Sequence, residues 1–234
     1  MPTHAEMDGV SRELTGWPVA VDGIARQLDS KLAVVDGVQR EIFANGQAIG
    51  GLAEGDIVRL KVGAEMVDFF VAKHDYESGL NGAGRTLLVQ KTSIGDLVWN
   101  SGGNNAYAGS DIDNYLSNDY VASLDPAVRT AIGMTTFYFI PGNGDISLAT
   151  LSRLAFLLSE KEVYGFSTGG IADGTKLPIA DLLQSTISGW HRTPNAADTT
   201  QASYGIGTFG PSLSYCHTKM KTYPAFTLPS NWKL

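Results

Sequence analysis

Three scarcities narrow the classes of protein to which this chain can belong. It has one cysteine, Cys216, which excludes an intrachain disulfide and a metal site built from several cysteines. Lys and Arg number 17 against 24 Asp and Glu, so broad electrostatic binding to nucleic acid is not expected. No run reaches the roughly 18 apolar residues that cross a bilayer, and residues 1–16 lack the pattern of an export signal. We therefore expect neither nucleic acid as a partner nor membrane insertion.

Glycine and small polar residues, by contrast, are abundant. The 27 glycines, together with many Asn, Ser and Thr residues, favour short strands joined by many turns. A chain of 234 residues with 43% hydrophobic residues is long enough to bury a core. The composition therefore predicts a folded protein that is rich in strands and loops.

A repeat of 14 residues opens the chain, with Asp-Gly pairs that start at Asp8, Asp22 and Asp36. Asp-Gly favours the tight turn of a two-residue hairpin, so residues 1–46 are predicted to form three β-hairpins. A single two-stranded hairpin is marginally stable in water and needs neighbours. We interpret this region as an attachment or oligomerisation element, with a trimer favoured. Three local turns without a binding role are the alternative.

Residues 47–55 are predicted to form a linker, and residues 56–234 the main domain. Alternating or apolar β-branched segments predict strands over residues 57–62, 66–72 and 86–90. Gly79 to Arg85 is glycine-rich and is predicted to be a turn.

Two short helices are predicted after these strands. Ser110 can cap a helix that runs to Leu116, and Asp125-Pro126 can open a second helix that ends at Ile132. Short helices between blocks of strands indicate an α+β fold class.

An ordered set of motifs covers nearly the whole chain. It includes Trp99-Asn100-Ser101, Phe156-Leu157-Leu158-Ser159, Trp190-His191-Arg192-Thr193-Pro194 and Pro224-Ala225-Phe226-Thr227-Leu228-Pro229. The set resembles an uncharacterised domain of phage and prophage tail proteins from gut bacteria, which similar hairpin repeats often precede. Its Trp-x-Arg-x-Pro and Pro-Ala-x-x-Leu elements are in turn similar to the core of C-type-lectin-like domains. One departure is Thr222-Tyr223, where the family usually has Val-Arg.

The resemblance implies a C-type-lectin-like α+β domain in a phage virion protein, which is assembled in the host cytoplasm and extracellular after release. Its partners would be other virion proteins, contacted through the hairpins. The expected core residues are Trp99, Phe156, Trp190, Arg192 and Phe226. We expect the guanidinium of Arg192 to hold backbone carbonyls or a carboxylate through its planar fork.

No pattern in the sequence predicts a catalytic residue, a metal or a cofactor. His191 and His217 accompany Cys216 without zinc-type spacing. Asp111-Ile112-Asp113-Asn114 lacks the later Gly and Glu of an EF-hand, and Thr193-Pro194-Asn195 lacks the acidic residue of a calcium-dependent lectin loop. A virion-borne glycan hydrolase stays open as a less favoured alternative, because sequence cannot show the separation of two carboxylates. The candidate carboxylates are Glu160, Glu162, Asp173 and Asp181.

The segment from Asn195 to Thr222 mixes aromatic residues with Thr, Ser, Gly and Asn and carries little charge. This composition is typical of antibody paratopes, although ordinary solvated strands and turns would also explain it. The candidate binding residues are Asn195, Tyr204, Phe209, Tyr215 and His217. We expect a tail-tip or fibre protein that binds a host-surface receptor or glycan. A purely structural virion subunit, such as a decoration or collar protein, is the alternative.

Overall fold

The computed structural model describes residues 4–7, 10–13, 19–21, 24–26, 46–168 and 173–234. Two antiparallel hairpins stand at the start, formed by β1 (His4–Met7) with β2 (Val10–Glu13) and by β3 (Val19–Val21) with β4 (Ile24–Arg26). Met7 pairs with Val10 and Val21 with Ile24, so the strands flank two of the Asp-Gly pairs as predicted. The third predicted hairpin, at Asp36-Gly37, lies outside the described residues.

The largest sheet of the described domain has five antiparallel strands. They are β5 (Ile57–Val62), β6 (Glu65–His74), β7 (Arg85–Gln90), β11 (Ala155–Phe156) and β16 (Ala225–Pro229). The strand order is β11-β16-β7-β6-β5, so the last strand of the chain lies in the interior of the sheet. β7 is buried along most of its length, and its central residues, Leu87, Leu88 and Val89, are apolar. The three strands predicted over residues 57–62, 66–72 and 86–90 are thereby confirmed.

Three smaller antiparallel sheets complete the strand content. One joins β12 (Trp190–Pro194), β13 (Gln201–Gly205) and β14 (Pro211–Tyr215), and the others pair β9 (Thr135–Phe139) with β10 (Ala149–Arg153) and β8 (Asp96–Val98) with β15 (Lys219–Lys221). The described chain is therefore an α+β protein with small sheets, as the predicted short helices between blocks of strands indicate.

The helices are short. They are α1 (Ser78–Asn81), α2 (Asp111–Tyr115), α3 (Val121–Ser123), α4 (Pro126–Ala131), α5 (Glu160–Tyr164) and α6 (Ala180–Thr186), with a π-helical turn over Leu116–Tyr120. Both predicted caps are confirmed, because Ser110 Oγ accepts from the Asp113 N–H and the Asp125 carboxylate from the Ala127 N–H. The predicted turn from Gly79 is wrong in its first part, which belongs to α1.

The core contains the four aromatic side chains expected there. Trp99, Phe156 and Phe226 are fully buried, and Trp190 is nearly so. The Trp99 and Trp190 rings lie 6.5 Å apart between centroids. Tyr223, which stands where the resembled family usually has arginine, is also buried.

The predicted linker packs against the domain. Ile49 and Leu52 are buried, and the Ile49 N–H donates to the Trp232 carbonyl. The Gly46 N–H donates to the carbonyl of Leu234, so the start and the end of the described domain lie side by side.

Candidate functional site

Arg192 organises the polar interior. Its Nη1 donates to Glu162 Oε2 at 2.6 Å and to the Leu157 carbonyl at 2.8 Å, and both charged side chains are fully buried. Its Nη2 donates to the carbonyls of Tyr138 and Asp173, each at 3.0 Å. The guanidinium thus holds backbone carbonyls and a carboxylate, as expected from the sequence. These contacts tie β12 to the residues before α5.

The carboxylates considered for a hydrolase have structural contacts. Glu162 accepts from the Tyr76 hydroxyl and from the Ser159 N–H, in addition to Arg192. Glu160 is buried and accepts from the N–H and the hydroxyl of Thr168. Asp181 is exposed and pairs with Lys176. Glu162 and Glu160 therefore anchor the backbone around α5.

Asp173 is the fourth of these carboxylates, and its burial raises its pKa from 3.8 to about 6. The Thr193 hydroxyl donates to one carboxylate oxygen at 2.7 Å. The other oxygen is buried and has no partner among the described residues. The folded state therefore holds the Asp173 proton more tightly than the unfolded chain does.

We predict that Asp173 lowers the free energy of unfolding by about 2 kcal/mol as pH rises from 4 to 6, since each unit of difference between its folded and unfolded pKa corresponds to about 1.4 kcal/mol. Over most of this range the folded state keeps the Asp173 proton, whereas the carboxyl of the unfolded chain, with its ordinary pKa of 3.8, is mostly ionised. Asp173→Asn should remove this component, whereas Asp181→Asn, at an exposed carboxylate, should not. Urea unfolding of the three proteins at several pH values measures the effect. An Asp173→Asn profile identical to that of the unmodified chain would contradict the assignment.

Four loops meet at one end of the β12–β14 sheet, and we call them the loop cluster: residues 100–106, 141–148, 195–200 and 215–218. Asn105 holds three of them. Its Nδ2 donates to the carbonyls of Asn195, Asp198 and Gln201 at 2.8–3.0 Å, and its Oδ1 accepts from the Asn143 N–H at 2.7 Å. The backbone N–H of Asn105 donates to Thr199. One buried asparagine therefore fixes loops that are distant in sequence.

Two further contacts complete the loop cluster. The Cys216 N–H donates to Thr200, and the Cys216 carbonyl accepts from the Asn100 N–H, each at 2.9 Å. Gly142 has a φ of +80°, and a Cβ there would lie 2.2 Å from the Asn105 carbonyl oxygen, so the contact requires glycine. Cys216 is buried, and this raises the pKa of its thiol to about 12, so the thiol stays protonated at neutral pH.

The two acidic residues of the loop cluster stabilise their own turns. Asp145 accepts from the N–H and the hydroxyl of Ser147, and Asp198 does the same with Thr200. These hydrogen bonds hold the pKa of each carboxyl below its usual value.

In the described parts of the chain no group of three His, Cys, Asp or Glu side chains could hold a metal ion.

The outer surface of the loop cluster combines aromatic and apolar side chains with small polar ones. Tyr215 and His217 are exposed, and their rings stack with centroids 5.6 Å apart and planes 14° apart. Ile146 and Leu148 are also exposed. The surrounding exposed residues are mainly Ser, Thr, Asn and Gly.

The structure brings three of the five candidate binding residues together. Asn195, Tyr215 and His217 belong to the loop cluster. Tyr204 lies outside it, half-buried with its ring against Trp190. Phe209 is 92% exposed in the turn at the opposite end of the β13–β14 hairpin. Sequence reasoning missed Asn105, because nothing local to it predicts contacts about 90 residues away.

Comparison with known proteins gives one family. The model of a domain of unknown function (DUF6273) matches residues 83–230, which include most of the core and the whole loop cluster. The chain therefore belongs to the DUF6273 family. No curated protein and no solved structure matches it. Among the described residues, no helix has both the length and the hydropathy that a membrane span requires.

Proposed function

We propose that this chain is a phage virion protein of the tail tip or fibre that binds a host-surface receptor or glycan through the loop cluster and has no enzymatic activity. The observation that carries the proposal is the Asn105 network. It fixes three loops from inside while their outer surface stays exposed. Loops held on a rigid scaffold are where proteins commonly place recognition.

Preorganisation supports a binding role in energetic terms. A flexible loop loses conformational entropy when a ligand orders it, which weakens binding. Loops that hydrogen bonds already hold lose less. The exposed composition of the loop cluster, aromatic rings among small polar residues, also matches that of antibody binding sites.

We propose further that the α+β domain is C-type-lectin-like. The short strands, few short helices and long loops support this, as does the buried Trp190–Arg192 element beside an interior C-terminal strand. The N-terminal hairpins would attach the domain to the particle or join three copies. A two-stranded hairpin gains stability from such neighbours.

A purely structural virion subunit is the principal rival, since the same loops could pack on a neighbouring protein. The hydrolase rival has less support. Glu162 is neutralised by Arg192 at 2.6 Å, and Glu160 is engaged by Thr168. Neither carboxylate stands free beside the other as a catalytic pair would.

An electron cryomicroscopy reconstruction of the particle that carries this protein, together with its protein composition, tests the proposal. We expect the hairpins to contact a virion neighbour and residues 143–148 and 197–200 to face outwards. Loops covered by another virion subunit would favour the structural rival. Absence of the chain from purified particles would overturn the virion assignment.

A further inference from the structure

We infer that the outward face of the Tyr215 ring, backed by the stacked ring of His217, forms a platform for one ring of a neutral saccharide, with Gln201 as a hydrogen-bonding partner for its hydroxyl groups. The inference rests on the proposed binding role of the loop cluster and names the class of ligand. Its basis is the position of two exposed rings beside an amide that has a free donor group.

The Tyr215 and His217 rings lie next to each other on the surface. Their planes differ by 14° and their centroids are 5.6 Å apart, so the rings are parallel and offset. Tyr215 is 52% exposed, and His217 is exposed as well. Each ring covers part of one face of the other, so the sugar would pack its apolar C–H face on the opposite, outward face of the half-exposed Tyr215 ring.

Gln201 supplies directional bonding next to this surface. It pairs with Tyr215 across β13 and β14, so the two side chains lie on the same face. Asn195 Nδ2 donates to Gln201 Oε1 at 3.1 Å and fixes the orientation of the amide. Within the described residues Gln201 Nε2 has no acceptor, so its N–H groups are available to a sugar hydroxyl.

The charges around the platform favour a neutral ligand. Residues 199–218 contain no Lys, Arg, Asp or Glu. The Asp198 carboxylate is engaged with Thr200, and the next cation along the chain, Lys219, belongs to a different strand and pairs with Val98. Recognition of carboxylate, sulfate or phosphate groups usually uses Arg or Lys in direct contact.

The exposed apolar side chains of the loop cluster favour a saccharide over a protein as the partner. A stable protein interface buries roughly 800 Å² on each partner around an apolar core. The loop cluster exposes two rings with Ile146 and Leu148 among hydroxyl and amide groups. Hydroxyl and amide groups beside an exposed ring provide hydrogen-bonding partners for the hydroxyl groups of a sugar.

Binding of the full chain to an array of neutral, sialylated and sulfated oligosaccharides tests the inference. We expect binding to neutral glycans that Tyr215→Ala weakens at least about tenfold. Tyr215→Phe should retain binding, because the ring and not the hydroxyl provides the platform. Phe209→Ala, which removes an exposed ring at the other end of the hairpin, should leave binding unchanged.

Three results would overturn the inference: binding to acidic glycans alone, neutral binding that Tyr215→Ala leaves unchanged, or no binding to any glycan. Thermal unfolding of each variant shows that it is folded. A chain that binds cells but no glycan on the array would retain the proposed function and lose this inference. A chain that binds neither would lose both.

Discussion

Replacing Arg192 with methionine is expected to lower the free energy of unfolding by roughly 3–5 kcal/mol, the usual cost of removing one partner from a buried ion pair. The substitution keeps much of the side-chain length but leaves the buried Glu162 carboxylate without its counter-ion. The carbonyls of Tyr138 and Asp173 also lose their donors. Urea unfolding followed by tryptophan fluorescence measures the change.

Two companion variants separate charge from geometry. Arg192→Lys keeps the charge but not the planar fork, so it should recover part of the stability. Combining Arg192→Met with Glu162→Gln removes the isolated charge and should be less destabilised than Arg192→Met alone. A loss under about 1 kcal/mol in Arg192→Met would mean that the ion pair does not support the fold as described.

Replacing Asn105 with alanine is expected to cost roughly 3–4 kcal/mol, since four side-chain hydrogen bonds contribute about 1 kcal/mol each. The acceptors at Asn195, Asp198 and Gln201 and the donor at Asn143 lose their common partner. We expect faster amide hydrogen exchange in residues 141–148 and 195–201, because these loops are no longer held together.

Asn104→Ala is the matched control. The Asn104 side chain accepts from Asn100 and Ala106, so its contacts stay within one loop. Exchange in residues 195–201 should then remain slow. Equal exchange in Asn104→Ala and Asn105→Ala would show that Asn105 does not join the loops.

Local signals in the sequence predict most of the local structure. Asp-Gly pairs mark the first two hairpins, Ser110 and Asp125 mark helix starts, and apolar periodicity marks the strands of the large sheet. These features depend on neighbouring residues and on backbone preferences. They can therefore be predicted from the sequence without knowledge of tertiary contacts.

The loop cluster depends on contacts that are distant in sequence and could not be predicted in the same way. The sequence marks Tyr204 and Tyr215 equally as candidate binding residues and does not show which of them meets solvent. The register places Tyr204 beside Trp190, and Tyr215 stays exposed. Asn105 lies in a segment that contains other Asn residues, so its neighbours in sequence do not distinguish it. Its role in joining the loops follows only from the fold.

Binding of the fluorescently labelled full-length chain to intact gut bacterial cells tests whether the loop cluster binds a host surface. The test variant carries Ile146→Arg and Leu148→Arg, at loop positions 60% and 55% exposed. The control carries Met66→Arg and Met134→Arg, at positions 60% and 58% exposed outside the loop cluster. We expect saturable binding to at least one strain, lost in the loop variant and retained in the control. Equal binding by both variants, or no binding to any strain, would contradict it.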